Sequence, residues 1–118
     1  MRIVRMQDKP TCPYIYVGRK MGGKNPIAAS PLGNPFKVAD KSPEEIARCL
    51  ADYRAWLTER IRTNDRQIMA LLREMTADST LACYCVSLEG EAVFSKPMRC
   101  HAQIIWEMWS ELQAGKTI

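Results

Sequence analysis

The stretch from Lys41 to Thr63, "KSPEEIARCLADYRAWLTERIRT", limits the fold more than any other part of the chain. Ser42 stands where an N-cap is needed, Pro43 at the first helical position, and Glu45 three residues after the cap, which is the capping-box arrangement. Ile46, Leu50, Tyr53, Leu57 and Ile61 then recur at steps of three or four, so a helix here carries one apolar stripe and must lay it on a core. A second helix is expected over about Asp65 to Thr76, with Ile68, Leu71, Leu72 and Met75 as its apolar positions after the polar break "TND".

The segments on either side of this helix pair read as strands. "RIVRM" and "YIYVGR" are β-branched and aromatic, and the prolines of "QDKPTCP" separate them, so strands are expected at about residues 2 to 6 and 14 to 18. "STLACYCV" reads as a buried strand. "LEGEAVFSKPMR" reads as a loop or small excursion, and the last helix is expected from about Cys100 to Gln113. Its inward face would be Ile105, Met108, Trp109 and Leu112, with Gly115 where a helix end belongs. Trp106 falls off that stripe, as a residue at a subunit contact would, so an oligomer is one expectation.

The order β, β, long loop, α, α, β, α predicts a small α/β fold with a partly parallel, Rossmann-like sheet, because a strand, helical crossover and strand is the parallel unit. A chain of 118 residues is expected to form one domain over residues 1–118. Hydrophobic residues at 47% and charged residues at 25% match a globular protein and argue against a disordered chain. No apolar run approaches the length of a membrane span, and "MRIVRMQDKP" does not resemble a signal peptide, so a cytoplasmic protein without membrane contact is expected. In that reducing compartment five cysteines are better explained as thiols, metal ligands or catalytic groups than as a disulfide framework. The net charge of +4 leans toward anionic partners, although the basic residues are spread along the chain.

Ligands of open α/β sheets collect beyond the carboxyl ends of the strands. Three stretches point there: "VGRK", the end of "LACYC", and "CH" at the start of the last helix. Cys83 and Cys85 share one strand face by period-two alternation, and with Cys100 and His101 they would supply the ligand types of a Cys₃His zinc site. A reactive thiol is the competing expectation. Cys100 would meet the positive end of the helix dipole, and His101, the only histidine, would act as acid, base or anion ligand. Plain core packing of small apolar cysteines is the third. Cys12 and Cys49 look incidental.

Between the second strand and the first helix runs "RKMGGKNPIAASPLGNPF", long enough to suggest function. Its "SPLGNPF" is turn chemistry, with Phe36 as a core plug, but it also offers Ser30, Gly33 and Asn34 to a ligand. The glycine would let backbone amides approach, and the asparagine amide would pair with a base edge. Arg19, Lys20 and Lys24 would suit phosphate. No P-loop or dinucleotide fingerprint is present.

"YVGR", "SPLGNPF", "YRAWL", "LACYC" and "CH" together resemble a small family common in bacteria and their phages, catalogued as domain of unknown function 4326; the resemblance runs from about Tyr14 to Leu112. Where that family typically has tryptophan between the two strand cysteines this chain has Tyr84, and its gap before "CH" is longer. The resemblance implies a site location and, for a phage-encoded member, the host cytoplasm, but no assigned activity.

Two functions follow as expectations. The first is binding of a nucleotide-like small molecule at the strand carboxyl edge through Arg19, Ser30, Gly33 and Asn34, with Cys100 and His101 as catalytic groups if a glycosidic or phosphoryl bond is attacked. The second is a non-enzymatic module, a phage-type accessory or inhibitor, that binds nucleic acid or protein and is stabilised by zinc on Cys83, Cys85, Cys100 and His101.

Overall fold

The computed structural model describes residues 2–24, 26–37, 40, 42–83 and 100–116. Along the chain lie β1 (Arg2–Arg5), a 3-10 turn (Met6–Asp8), β2 (Ile15–Tyr16), α1 (Pro43–Arg62), α2 (Arg66–Glu74), β3 (Thr80–Cys83) and α3 (His101–Gln113). The strands form one sheet in the order β1-β3-β2, and β3 runs parallel to both neighbours, with Ile3 opposite Leu81 and Ile15 opposite the same Leu81. The sheet expected to be partly parallel is thus parallel throughout its described strands. The described residues thus show a small α/β fold with three helices and a three-stranded parallel sheet.

β3 holds the centre, and its composition explains why. A parallel strand covered on both faces needs apolar side chains on both, and Thr80, Leu81, Ala82 and Cys83 are all buried. The crossover from β2 to β3 consists of α1 and α2. Ser42 caps α1 by accepting from the Glu45 amide at 3.3 Å, Glu44 and Glu45 face the positive end of the dipole, and Arg60 and Arg62 face the negative end. Asn64 at φ 57° turns the chain in the left-handed region, and Asp65 caps α2 through the Ile68 amide at 3.2 Å.

The α1 stripe falls where its spacing predicts. Leu50, Tyr53 and Leu57 are buried, and Ile46 and Ile61 pack half-buried at its ends. They join Ile3, Val17, Leu32, Ile68, Leu72, Met75, Leu81, Ile105 and Met108 in one cluster. On α3, Ile105 and Met108 are buried as expected, whereas Trp109 and Leu112 only flank the core and Ile104 lies within it. Gly115 ends α3 with φ 78°.

Several boundaries differ from expectation: β1 ends at Arg5, and α2 runs only from Arg66 to Glu74 because Asp65 is its N-cap and Met75 is already extended. α3 begins at His101, because Cys100 is its extended N-cap. β2 stops at Tyr16: the Val17 amide still bonds to the Ala82 carbonyl at 2.9 Å, but the Val17 carbonyl turns away to a side chain of α3. The segment expected as a loop or excursion before "CH" lies outside the described residues, as do Tyr84 and Cys85. No helix among the described residues is long and apolar enough to cross a membrane.

Candidate functional site

Parallel strands end on the same edge, and the start of α3 meets that edge. Cys83, the last residue of β3, and Cys100, the cap of α3, lie with their sulfurs 3.2 Å apart, and each is 1% exposed. Gln103 helps hold the turn there: its Oε1 accepts from the Cys100 amide at 3.1 Å, and its buried side chain thus satisfies a backbone donor at the helix start.

His101 reaches back across the edge to β2. Its Nε2 lies 2.5 Å from the Val17 carbonyl oxygen. A carbonyl can only accept, so Nε2 carries the proton and Nδ1 presents its lone pair, 4.0 Å from the Cys100 sulfur. The ring meets Tyr53 of α1 edge-on, with centroids 5.1 Å apart at 72°. Burial pushes the His101 pKa down to about 4; the Val17 carbonyl opposes that shift and the Arg19 charge adds to it. The imidazole is therefore neutral at neutral pH. The 4.0 Å between the Cys100 sulfur and His101 Nδ1 is the outer limit for a thiol contact.

The loop expected to offer ligand groups is folded on itself by those same groups. The Ser30 amide donates to the Gly18 carbonyl at 3.0 Å, its hydroxyl accepts from the Leu32 amide at 3.1 Å, and its carbonyl accepts from the Gly33 amide at 2.9 Å. Asn34 is buried. Its Oδ1 accepts from the Phe36 amide at 2.9 Å, and its Nδ2 donates to the Cys49 sulfur at 3.3 Å. The exposed Arg19 turns its Nε onto the Asn34 carbonyl at 2.8 Å and its Nη2 onto the Phe36 carbonyl. Tyr53 fastens the loop to α1 by donating to the Leu32 carbonyl at 2.7 Å. The structure thus brings Arg19, Asn34, Cys83, Cys100 and His101 to one end of the sheet, with the asparagine and much of the guanidinium engaged by protein.

Gly33 has a different role from the close ligand approach expected of it. A Cβ built there would lie 2.8 Å from the Gly18 carbonyl oxygen and 3.1 Å from that of Ser30, both fixed backbone atoms. Gly33→Ala is expected to destabilise the fold by about 1–3 kcal/mol, the usual cost of overpacking, measured as a lower urea midpoint at unchanged slope.

Besides Gln103, three participants were not singled out for the site in the sequence. Tyr53 stood in the core stripe; its signal was the hydroxyl, which needs a partner when the ring is fully buried. Cys49, expected to be incidental, is 4% exposed, and besides its bond from Asn34 its thiol reaches the Phe36 carbonyl at 3.6 Å. The Val17 carbonyl had no signal, because a main-chain acceptor is the same at every position. As for a metal, no group of three or more His, Cys, Asp or Glu side chains among the described residues is arranged to hold one. Cys85, a member of the expected set, lies outside those residues.

A family described as Domain of unknown function (DUF4326) matches residues 3–111. The chain belongs to this family. The DUF4326 match runs from β1 almost to the end of α3, so it includes every site residue described above. No curated protein and no solved structure matches the chain.

Proposed function

We propose that this DUF4326 protein binds a nucleotide or nucleotide-derived ligand at the carboxyl edge of its sheet, beside the start of α3. The observation that carries the reading is the convergence there of the β2 end, the β3 end, the Ser30–Phe36 loop and the first residue of α3, which is where ligands of open α/β sheets bind. Arg19, Lys20 and Lys24 are exposed on the segment that leaves β2 and supply positive charge for an anionic ligand.

The chemistry of the histidine favours binding over catalysis. A general base works best with a pKa near the operating pH, and burial holds His101 at about 4. Cys100, its nearest nucleophile, is 1% exposed. In this conformation the pair is a thiol beside a neutral imidazole, suited to accepting one hydrogen bond at Nδ1 rather than to driving attack on a glycosidic or phosphoryl bond.

Thermal melts against mono- and dinucleotides test the reading. A ligand at about 100 times its Kd stabilises by about 2.7 kcal/mol, a plain rise in Tm. His101→Gln, with its fold verified by circular dichroism, is expected to lose that rise. If no nucleotide shifts the wild-type melt, or the shift survives in both His101→Gln and Arg19→Ala, the placement is wrong. Binding only to oligonucleotides, weakening steeply with salt, would support the nucleic-acid module instead.

A further inference from the structure

The two buried sulfurs at the end of β3 form a feature that ligand binding does not use. We infer that Cys83 and Cys100 are a dithiol modification site, which hydrogen peroxide converts to an intramolecular disulfide joining the end of β3 to the cap of α3. The inference does not rest on the proposed ligand.

Four observations carry it. The sulfurs are 3.2 Å apart and not bonded, so closure to the ~2.05 Å of a disulfide moves each by roughly half an ångström. The residues stand 17 apart in sequence, on two elements that already pack together. Cys100 has extended backbone angles, φ -137° and ψ 141°, outside the helix proper, so its side chain adjusts without unwinding a turn. It also caps α3 at the positive end of the helix dipole, and the His101 Nδ1 lone pair 4.0 Å away faces the sulfur as a hydrogen-bond acceptor. The other two described cysteines lack such a partner: Cys49 is engaged by Asn34 and the Phe36 carbonyl, and Cys12 lies half-buried between the 3-10 turn and β2.

The chemistry balances with one peroxide. When the start of α3 opens to water, Cys100 gives up its proton to solvent, its thiolate attacks a peroxide oxygen, the O–O bond breaks, and the hydroxide released takes a proton back to leave as the first water, which makes the sulfur a sulfenic acid. The Cys83 sulfur then attacks that sulfur, the S–O bond breaks and the second water departs, so two thiols lose two hydrogens and peroxide is reduced to water. Both sulfurs are 1% exposed, so peroxide enters only when the start of α3 lifts from the sheet.

The test is peroxide treatment of the wild-type protein, followed by alkylation and intact mass under non-reducing conditions. The expected product is lighter by two hydrogens, keeps two thiols unavailable to alkylation until dithiothreitol is added, and melts roughly 10 °C higher. No Lys or Arg separates Cys83 from Cys85, so a tryptic peptide does not tell them apart and variants must. The cross-link should survive Cys85→Ser and vanish in Cys83→Ser. Survival in Cys83→Ser with loss in Cys85→Ser would overturn the assignment. So would a folded wild-type protein that forms no cross-link, or one carrying a zinc ion whose removal is required before either thiol reacts. Direct tandem-mass location of the bond in the wild-type protein decides the matter if Cys83→Ser does not fold.

Discussion

Tyr53→Ala is expected to lower the unfolding free energy by about 3–5 kcal/mol, the range for removing a large buried aromatic ring. Tyr53 is 0% exposed and joins three parts of the molecule: it packs in the α1 stripe, tilts against Trp56 at 5.5 Å, and meets the His101 ring at 72°. Its hydroxyl holds the Leu32 carbonyl at 2.7 Å, and burial raises its pKa well above the usual phenol value, so it remains a donor at every pH of interest. Tyr53→Phe isolates that bond. It keeps the ring and strands a buried carbonyl, at an expected cost of about 1–3 kcal/mol. Urea denaturation of both variants is the measurement. A Tyr53→Phe protein as stable as wild type would mean that Leu32 packing and the Cys49 contacts hold the loop to α1 without this bond.

Acid provides the second large effect, through His101. Its folded pKa of about 4 lies below the 6.5 of an exposed histidine, so the folded state binds fewer protons than the unfolded chain between those values. The sign follows: the contribution is complete above about pH 6.5, falls as pH drops toward 4, and is flat below. The loss over that window is on the order of 2 kcal/mol, less than the full pKa difference implies because the residue keeps part of its surface in water. Stability measured by urea between neutral pH and about pH 4.5 should decline in the wild type. The same curve should be flatter in His101→Gln. An equal decline in both would assign the acid sensitivity to carboxylates.

How far the molecule could be foreseen depends on the range of each interaction. α1 was legible from Ser42, Pro43 and Glu45 and from its stripe, because caps and periodicity act within a few residues. The start of α3 was legible to within one residue for the same reason. The strand order was not, since β1 and β2 do not pair with each other and both pair with a strand that follows them by many residues. The rule that parallel strands share a carboxyl edge pointed to a meeting of Arg19, Asn34, Cys85, Cys100 and His101; Cys85 lies outside the described residues, and it is Cys83 that stands beside Cys100. What each side chain does there did not follow. Arg19 and Asn34 read as ligand-facing groups, yet their partners are carbonyls, an amide and a thiol up to 17 residues away. An arginine aimed at a phosphate and one clamping a loop have the same local sequence. Only the folded chain distinguishes them.

The placement of β3 between β1 and β2 also governs the order in which the fold can assemble. Among the described strands no hairpin nucleates this sheet: β1 and β2 must each wait for residues 80–83, across a stretch that includes both crossover helices. α1 and α2 depend mainly on local contacts and can form on the microsecond scale, whereas joining the strands requires long loop closure and belongs to the slower, topology-limited step. During synthesis the middle of the sheet is made after its two flanks. Until it emerges, the main-chain groups of β1 and β2 that will pair with β3 remain open to water or to a neighbouring chain.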